Sequence, residues 1–245
     1  GSPLVVGDRD NFRVASFGIT STSATLINTA STVSGSNLAD AFSCVFSRDG
    51  NYFYTGGNAA AYNRFSGFSV GANTGALSPL TDSPFPTGFA PRAYLTDSQG
   101  RFFLTTNGVP SSVVVYETSL GVPVGIGVTS TLSGLTTGVH AVLHPSGFYM
   151  AADRSGNRIG AYAVAGIGAS TTLSPVSGSP FASGGSFTAV LALNQSGNFL
   201  FAAHGNSRNI SVFSVNGSTG VLTSSLVQPV DSIGAAGRIV GMADV

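Results

Sequence analysis

The chain has 245 residues, 42% of them hydrophobic and only 8% charged, and its ten basic and ten acidic residues balance to a net charge of zero. That balance leaves no positive footprint for neutralising phosphates, which excludes nucleic acid as a partner. No apolar run approaches the roughly 18 residues of a membrane span. All ten basic residues are arginines and Glu117 is the sole glutamate. Exposed helix faces draw heavily on Glu and Lys, so a chain short of both and holding 33 glycines suits strands joined by tight turns instead. No signal peptide opens the sequence, and Gly1-Ser2 reads equally as a processed or a recloned start. A surface rich in Ser, Thr and Gly points to an extracellular or cell-surface protein. Cys44 has no intramolecular partner and reads as a small buried residue.

In chain order, Leu4-Val5-Val6, Val14 to Ile19 and Leu26 to Val33 read as the second, third and fourth strands of a unit that lacks its first. From residue 38 a four-strand unit then recurs four times. Its first hairpin turns at Ser47-Arg48-Asp49-Gly50, Asp97-Ser98-Gln99-Gly100, His144-Pro145-Ser146-Gly147 and Asn194-Gln195-Ser196-Gly197, each flanked by apolar runs such as Phe42 to Phe46 and Tyr52-Phe53-Tyr54. A polar turn ending in Gly between two apolar runs is a hairpin signal. Third strands follow at Phe65 to Phe68, Val113 to Val115, Ile159 to Tyr162 and Ile210 to Phe213. Second turns come at Asn73-Thr74-Gly75 and Ser218-Thr219-Gly220. Leu77-Ser78-Pro79-Leu80 and Leu173-Ser174-Pro175-Val176 read as outer strands, because proline is tolerated mainly at a sheet edge. Ser83-Pro84-Phe85 and Ser179-Pro180-Phe181 read as connections back to the next inner strand.

The last segment, Gly237 to Val245, reads as a first strand that completes the unit begun at the N-terminus. The whole is therefore expected to be all-β: a five-bladed β-propeller of four-stranded antiparallel blades with a repeat of about 49 residues. It would be one domain, 1–245, with blades at 237–245 plus 1–37, 38–88, 89–136, 137–185 and 186–236. Closure by the C-terminal strand would remove the exposed sheet edges.

The run Gly-aromatic-aliphatic-aromatic, then Asn157-Arg158-Ile159 or Arg208-Asn209-Ile210-Ser211-Val212-Phe213, then Thr219-Gly220-Val221-Leu222 or Thr74-Gly75-Ala76-Leu77, then Gly178-Ser179-Pro180-Phe181, resembles the YVTN/lactonase-like β-propeller repeat. Members of that family usually carry seven blades, whereas this chain has residues for five. The resemblance implies a site of Arg and His near a central channel, with an acidic partner.

In a propeller the starts of the inner strands gather at one mouth of the channel. Those positions are Phe42, Arg92, Val139-His140, Thr188-Ala189 and Arg238. Arg92, His140 and Arg238 are thus the candidate ligand-binding residues, suited to a small polar, anionic or polyhydroxy ligand. They are also the candidate catalytic set of a lactonase-like hydrolase or isomerase. Glu117 lies beyond the third strand of its blade, which leaves the acidic partner unfilled. His140 and His144 share a strand face about 13 Å apart, too far to hold one metal ion, and neither a metal nor a cofactor is expected. Asp8-Arg9-Asp10 is too short for a calcium loop. Asp49 and Asp97 read as turn residues, Asp82 and Asp153 as loop residues. Asn194, Asn209 and Asn216 fit the N-glycosylation pattern. With no catalytic constellation complete, the favoured expectation is a non-enzymatic, monomeric binding or structural module with a carbohydrate or protein partner. The lactonase-like enzyme is the alternative.

Overall fold

A computed structural model describes residues 3–8, 10–34, 37–38, 41, 43–57, 63–89, 91–97, 99–106 and 111–229. Over these residues the chain forms antiparallel sheets in sequence order, the meander of a β-propeller. The first holds β1 (Leu4–Asp8), β2 (Arg13–Ile19) and β3 (Ala24–Ser31), and the small hairpin β4 (Val33–Ser34) and β5 (Asn37–Leu38) follows. The second holds β6 (Ser43–Phe46), β7 (Tyr52–Gly56), β8 (Arg64–Val70), β9 (Leu77–Pro79) and β10 (Phe85–Pro86). The third runs β11 (Pro91–Thr96), β12 (Arg101–Thr106), β13 (Ser112–Ser119) and β14 (Val122–Thr131). The fourth comprises β15 (Gly138–Leu143), β16 (Phe148–Asp153), β17 (Arg158–Ala165), β18 (Thr172–Pro175) and β19 (Phe181–Ala182). The fifth comprises β20 (Thr188–Leu193), β21 (Phe199–His204), β22 (Asn209–Val215) and β23 (Leu222–Pro229).

The repeated first turn has one physical cause. Gly50, Gly100, Gly147 and Gly197 sit at φ 73, 78, 88 and 76°, a left-handed conformation that side chains resist. Each donates its N–H back to the carbonyl three residues earlier, as Gly147 does to His144 at 2.9 Å. The three N-terminal strands match their expected places. Pro79 and Pro175 end β9 and β18, which pair only with the third strands β8 and β17. Two expectations change. Phe85–Pro86 and Phe181–Ala182 form strands rather than plain connections, pairing with the opening residues of β8 and β17. Cys44 is exposed on β6 rather than buried. The expected closing strand 237–245, with Arg238, lies outside the described residues.

The chain divides into two compact units, Gly1–Leu104 with Val115–Gly127 and Thr105–Val114 with Val128–Val245. The third sheet contributes residues to both. In the first unit, Phe53, Phe68, Leu77, Val14 and Ala30 pack into one cluster. An aromatic stack adjoins it, in which the Tyr54 and Phe102 rings lie 4.6 Å apart and Phe65 and Phe102 4.9 Å. In the second unit the fourth and fifth sheets share a core built on Phe148, Met150, Ile159, Leu191, Leu200 and Phe213. Each large side chain so buried contributes about 1.5–3 kcal/mol. β16 is buried at every position, which explains why its sequence reads as an unbroken apolar run rather than an alternation.

Candidate functional site

The three candidate residues fall in different settings. Arg92 is half-buried on β11 in the first unit. His140 is half-buried on β15 in the second. Arg238 and Phe42 lie outside the described residues. Glu117 lies within β13, the third strand of its sheet, rather than beyond it as expected, because that strand runs on to Ser119.

His140 is the candidate whose geometry is fully drawn. Its Nδ1 accepts the backbone N–H of Leu191 on β20 at 3.3 Å. An acceptor at Nδ1 leaves the ring proton on Nε2, so the neutral imidazole presents an N–H donor rather than a base. Burial lowers the pKa of His140, which keeps that neutral form dominant at neutral pH.

The start of β15 is held by a residue that sequence reasoning placed in a loop. Asp153 is the last residue of β16, is fully buried, and pairs in register with Gly138. Its Oδ2 accepts the Thr136 N–H at 3.0 Å and the Thr136 hydroxyl at 3.1 Å, and its Oδ1 accepts the Thr137 N–H at 2.9 Å. The Gly156 N–H and Arg158 Nη2 complete the set at 3.1 and 3.3 Å. Desolvation pushes this carboxyl up, but the N–H donors of Thr136, Thr137 and Gly156 outweigh it and hold the pKa below the usual range. Asp153 therefore fixes the two residues that lead into β15, and with them the place where His140 begins its strand.

The fifth sheet repeats the device with different chemistry. His204, last residue of β21, is fully buried beside Ser183, Thr188 and Ser211, all equally buried. Its Nδ1 lies 3.3 Å from the Thr188 hydroxyl and its Nε2 3.0 Å from that of Ser211. Thr188 in turn donates to Ser183 Oγ at 2.7 Å. Thr188 opens β20 as Gly138 opens β15, so His204 ties down the same part of its blade as Asp153. The signal that could have found both was a titratable residue closing a second-strand apolar run, Phe148 to Asp153 and Phe199 to His204.

His144 has a separate, structural role. It is buried in the β15–β16 turn, where Nδ1 accepts the Ser146 N–H at 3.0 Å and Nε2 faces the Gly197 carbonyl at 3.0 Å. It ties one first turn to the next. His140 and His144 thus have different partners, and among the described residues no cluster of His, Cys, Asp or Glu is arranged to hold a metal ion. Asp8, in the expected charge cluster, accepts Arg13 Nε at 2.8 Å and the Asn11 amide at 3.0 Å, which closes the β1–β2 turn.

A family profile described as lactonase, 7-bladed beta-propeller, matches residues 62–232, well over half of the chain. The chain belongs to the lactonase β-propeller family. Solved structures agree on the fold. A protein from Bacteroides uniformis assigned as a 6-phosphogluconolactonase superposes with a TM-score of 0.74 at 17% identity, over 94% of this chain and 69% of its own. A related Bacteroides fragilis structure gives a TM-score of 0.72 at 16% identity, over 91% of this chain and 66% of its own. The periplasmic gluconolactonase of Pseudomonas aeruginosa gives 0.71 at 19%, over 94% and 68%. This lactonase-type chain thus spans about two thirds of the length of those proteins. No curated protein sequence matches it. The family match overturns the expectation of a non-enzymatic binding or scaffold module, and the secreted character attached to that module loses its basis. The lactonase-like alternative is the reading that the family match favours. The physical reason for the error is that an enzyme whose substrate already carries a reactive ester needs few groups, so the scarcity of carboxylates did not exclude catalysis.

Proposed function

We propose that this chain hydrolyses a sugar-type lactone. The observation that carries the reading is the lactonase family match over residues 62–232, and the setting of His140 gives it a chemistry. Hydrolysis adds water to the lactone carbonyl carbon, breaks the bond from that carbon to the ring oxygen, and yields a hydroxy acid that releases one proton at neutral pH. The charge to be stabilised develops on the carbonyl oxygen. A neutral imidazole whose Nδ1 is occupied by Leu191 N–H offers its Nε2–H to that oxygen, the role of an oxyanion donor. On the sequence pattern alone, Arg92 and Arg238 stay candidates for binding the polar groups of the substrate, since a guanidinium grips phosphate or carboxylate through two parallel hydrogen bonds. Asp153 acts on the reaction only through the position of β15.

Proton release from glucono-1,5-lactone and its 6-phosphate, followed at constant pH above the spontaneous rate, tests the proposal. His140→Gln should lower kcat/KM on the order of a hundredfold, the scale of one lost oxyanion donor. Arg92→Ala and Arg238→Ala should act mainly on KM. No acceleration over spontaneous hydrolysis with either lactone would refute the activity. Acceleration unchanged in all three variants would keep the activity and refute the site.

A further inference from the structure

The outer turn of the third sheet departs from its counterparts. β8 and β9 are joined by residues 71–76, and β22 and β23 by 216–221, both polar connections, whereas Leu120 and Gly121 alone join β13 to β14. Both residues are left-handed, with φ of 50 and 77°. A two-residue turn of that form favours Asn, Asp or Gly at its first position, and leucine there is strained. Leu120 is also 82% exposed. A large apolar side chain held in a strained conformation and left in water gains nothing for folding, and such strain gathers where a protein binds something.

Beside this turn opens a cavity of ≈ 540 Å³ lined by Arg48, Asp49, Tyr52, Asp97, Leu120 and Gly121, among others, all within the first unit. Tyr52 supplies an aromatic wall, its ring packed so closely on Gly121 that a Cβ there would run into it. The two carboxylates are already engaged. Asp97 accepts Arg101 Nε at 2.6 Å and the N–H groups of Gln99 and Arg101 at 2.9 Å. Asp49 accepts the Ser47 hydroxyl at 2.5 Å, the Asn51 N–H at 3.1 Å and its side-chain amide at 2.7 Å. Arg48 is exposed and, among the described residues, makes no ion pair or hydrogen bond. Its guanidinium is a cation in the cavity with donors to give.

We propose that this cavity binds a small carboxylate with an apolar or aromatic body, its carboxylate on Arg48 and its body between Tyr52 and Leu120. The volume lies within the range of small-molecule pockets, which pair apolar and aromatic walls with a small number of polar groups; here Asp49 and Asp97 are held by their own turns, which leaves Arg48 to meet an anion. An arginine grips a carboxylate through two parallel hydrogen bonds. The proposal uses none of the residues assigned to lactone hydrolysis and stands whether or not the chain hydrolyses lactones.

Titration of the protein with 3-phenylpropionate, followed by the Leu120 methyl and Gly121 amide resonances, tests this. Saturable shifts confined to that turn and its neighbours are expected. The neutral 3-phenylpropanamide should bind at least tenfold more weakly, and Arg48→Gln should weaken the acid by a similar factor. Leu120→Asn separates binding from folding, because it suits the turn better: the melting temperature should rise while affinity for the acid falls. No saturable shift at millimolar acid overturns the proposal. So does equal binding of acid and amide, or affinity unchanged in both variants.

Discussion

Asp153 accepts five hydrogen bonds from Thr136, Thr137, Gly156 and Arg158 in a fully buried position, and all five donors require an acceptor. Asparagine has nearly the same shape but turns an NH2 towards N–H groups, leaving at least one donor unpaired. Asp153→Asn is therefore expected to destabilise the chain by about 3 kcal/mol, measured by urea unfolding, since removing one partner from a buried charged network costs far more than the pair is worth. A loss below about 1 kcal/mol would show that the segment 136–137 is held by something else. In the sequence the acid closes an apolar run, but standing before Arg154-Ser155-Gly156 it shares that signal with the first residue of a loop. Only the pairing of Asp153 with Gly138 shows that it faces the start of the next strand back in the chain. His140 was legible because its type and its place at a first strand are both local. Its partner, the Leu191 N–H, was not, because it comes from another sheet.

The long outer strands β14 and β23 went unplaced, but the first hairpin of each unit was legible, since a Gly-ended turn between apolar runs marks a hairpin whatever surrounds it. Two-residue strands were not. Nothing in Phe85-Pro86 or Phe181-Ala182 has a periodicity, and each pairs only because the serine two residues before the phenylalanine anchors the bend. Ser83 Oγ accepts the Gly67 N–H and Ser179 Oγ the Ala161 N–H, both at 3.0 Å. The third strands β8 and β17 thus have a backbone donor satisfied by a side chain where β9 and β18 give way to β10 and β19. Ser179→Ala would strand the N–H of Ala161, a fully buried residue, and is expected to cost about 1–2 kcal/mol. Ser83→Ala should cost a similar amount. Ser174→Ala, at an exposed position of β18, should stay within about 0.5 kcal/mol. Equal effects at Ser179 and Ser174 would remove the anchoring role. Retention of both the Gly67 and Ala161 amides against hydrogen exchange in the alanine variants would do the same.

For the molecule as a whole, all three histidines carry lowered pKa values, chiefly through burial, and all three lie in the second unit. In the unfolded chain they return to about 6.5. The folded state consequently binds fewer protons than the unfolded state as pH falls through and below 6.5, and linkage makes stability rise with pH in that window. The histidine contribution is complete above pH 6.5 and is lost progressively below it. Asp8, Asp49 and Asp153 are also lowered from their ordinary value of 3.8, so their contribution is present above 3.8 and is lost only below it. The acid limb should therefore have two parts. In the first, His140 and His144 matter most, because each uses Nδ1 to accept a backbone N–H, from Leu191 and Ser146, and a protonated ring sets donor against donor. His204 meets hydroxyls of Thr188 and Ser211, which can rotate to accept, so only its desolvation counts. Urea midpoints measured from pH 7.5 to 3 should fall once below pH 6.5 and again below pH 3.8. The double variant His140→Gln, His144→Gln should flatten the first fall and spare the second. A midpoint level from pH 7.5 to 4.5 in the unaltered chain would mean that the buried rings are satisfied in both protonation states. A first fall that survives the double variant would assign it to His204 instead.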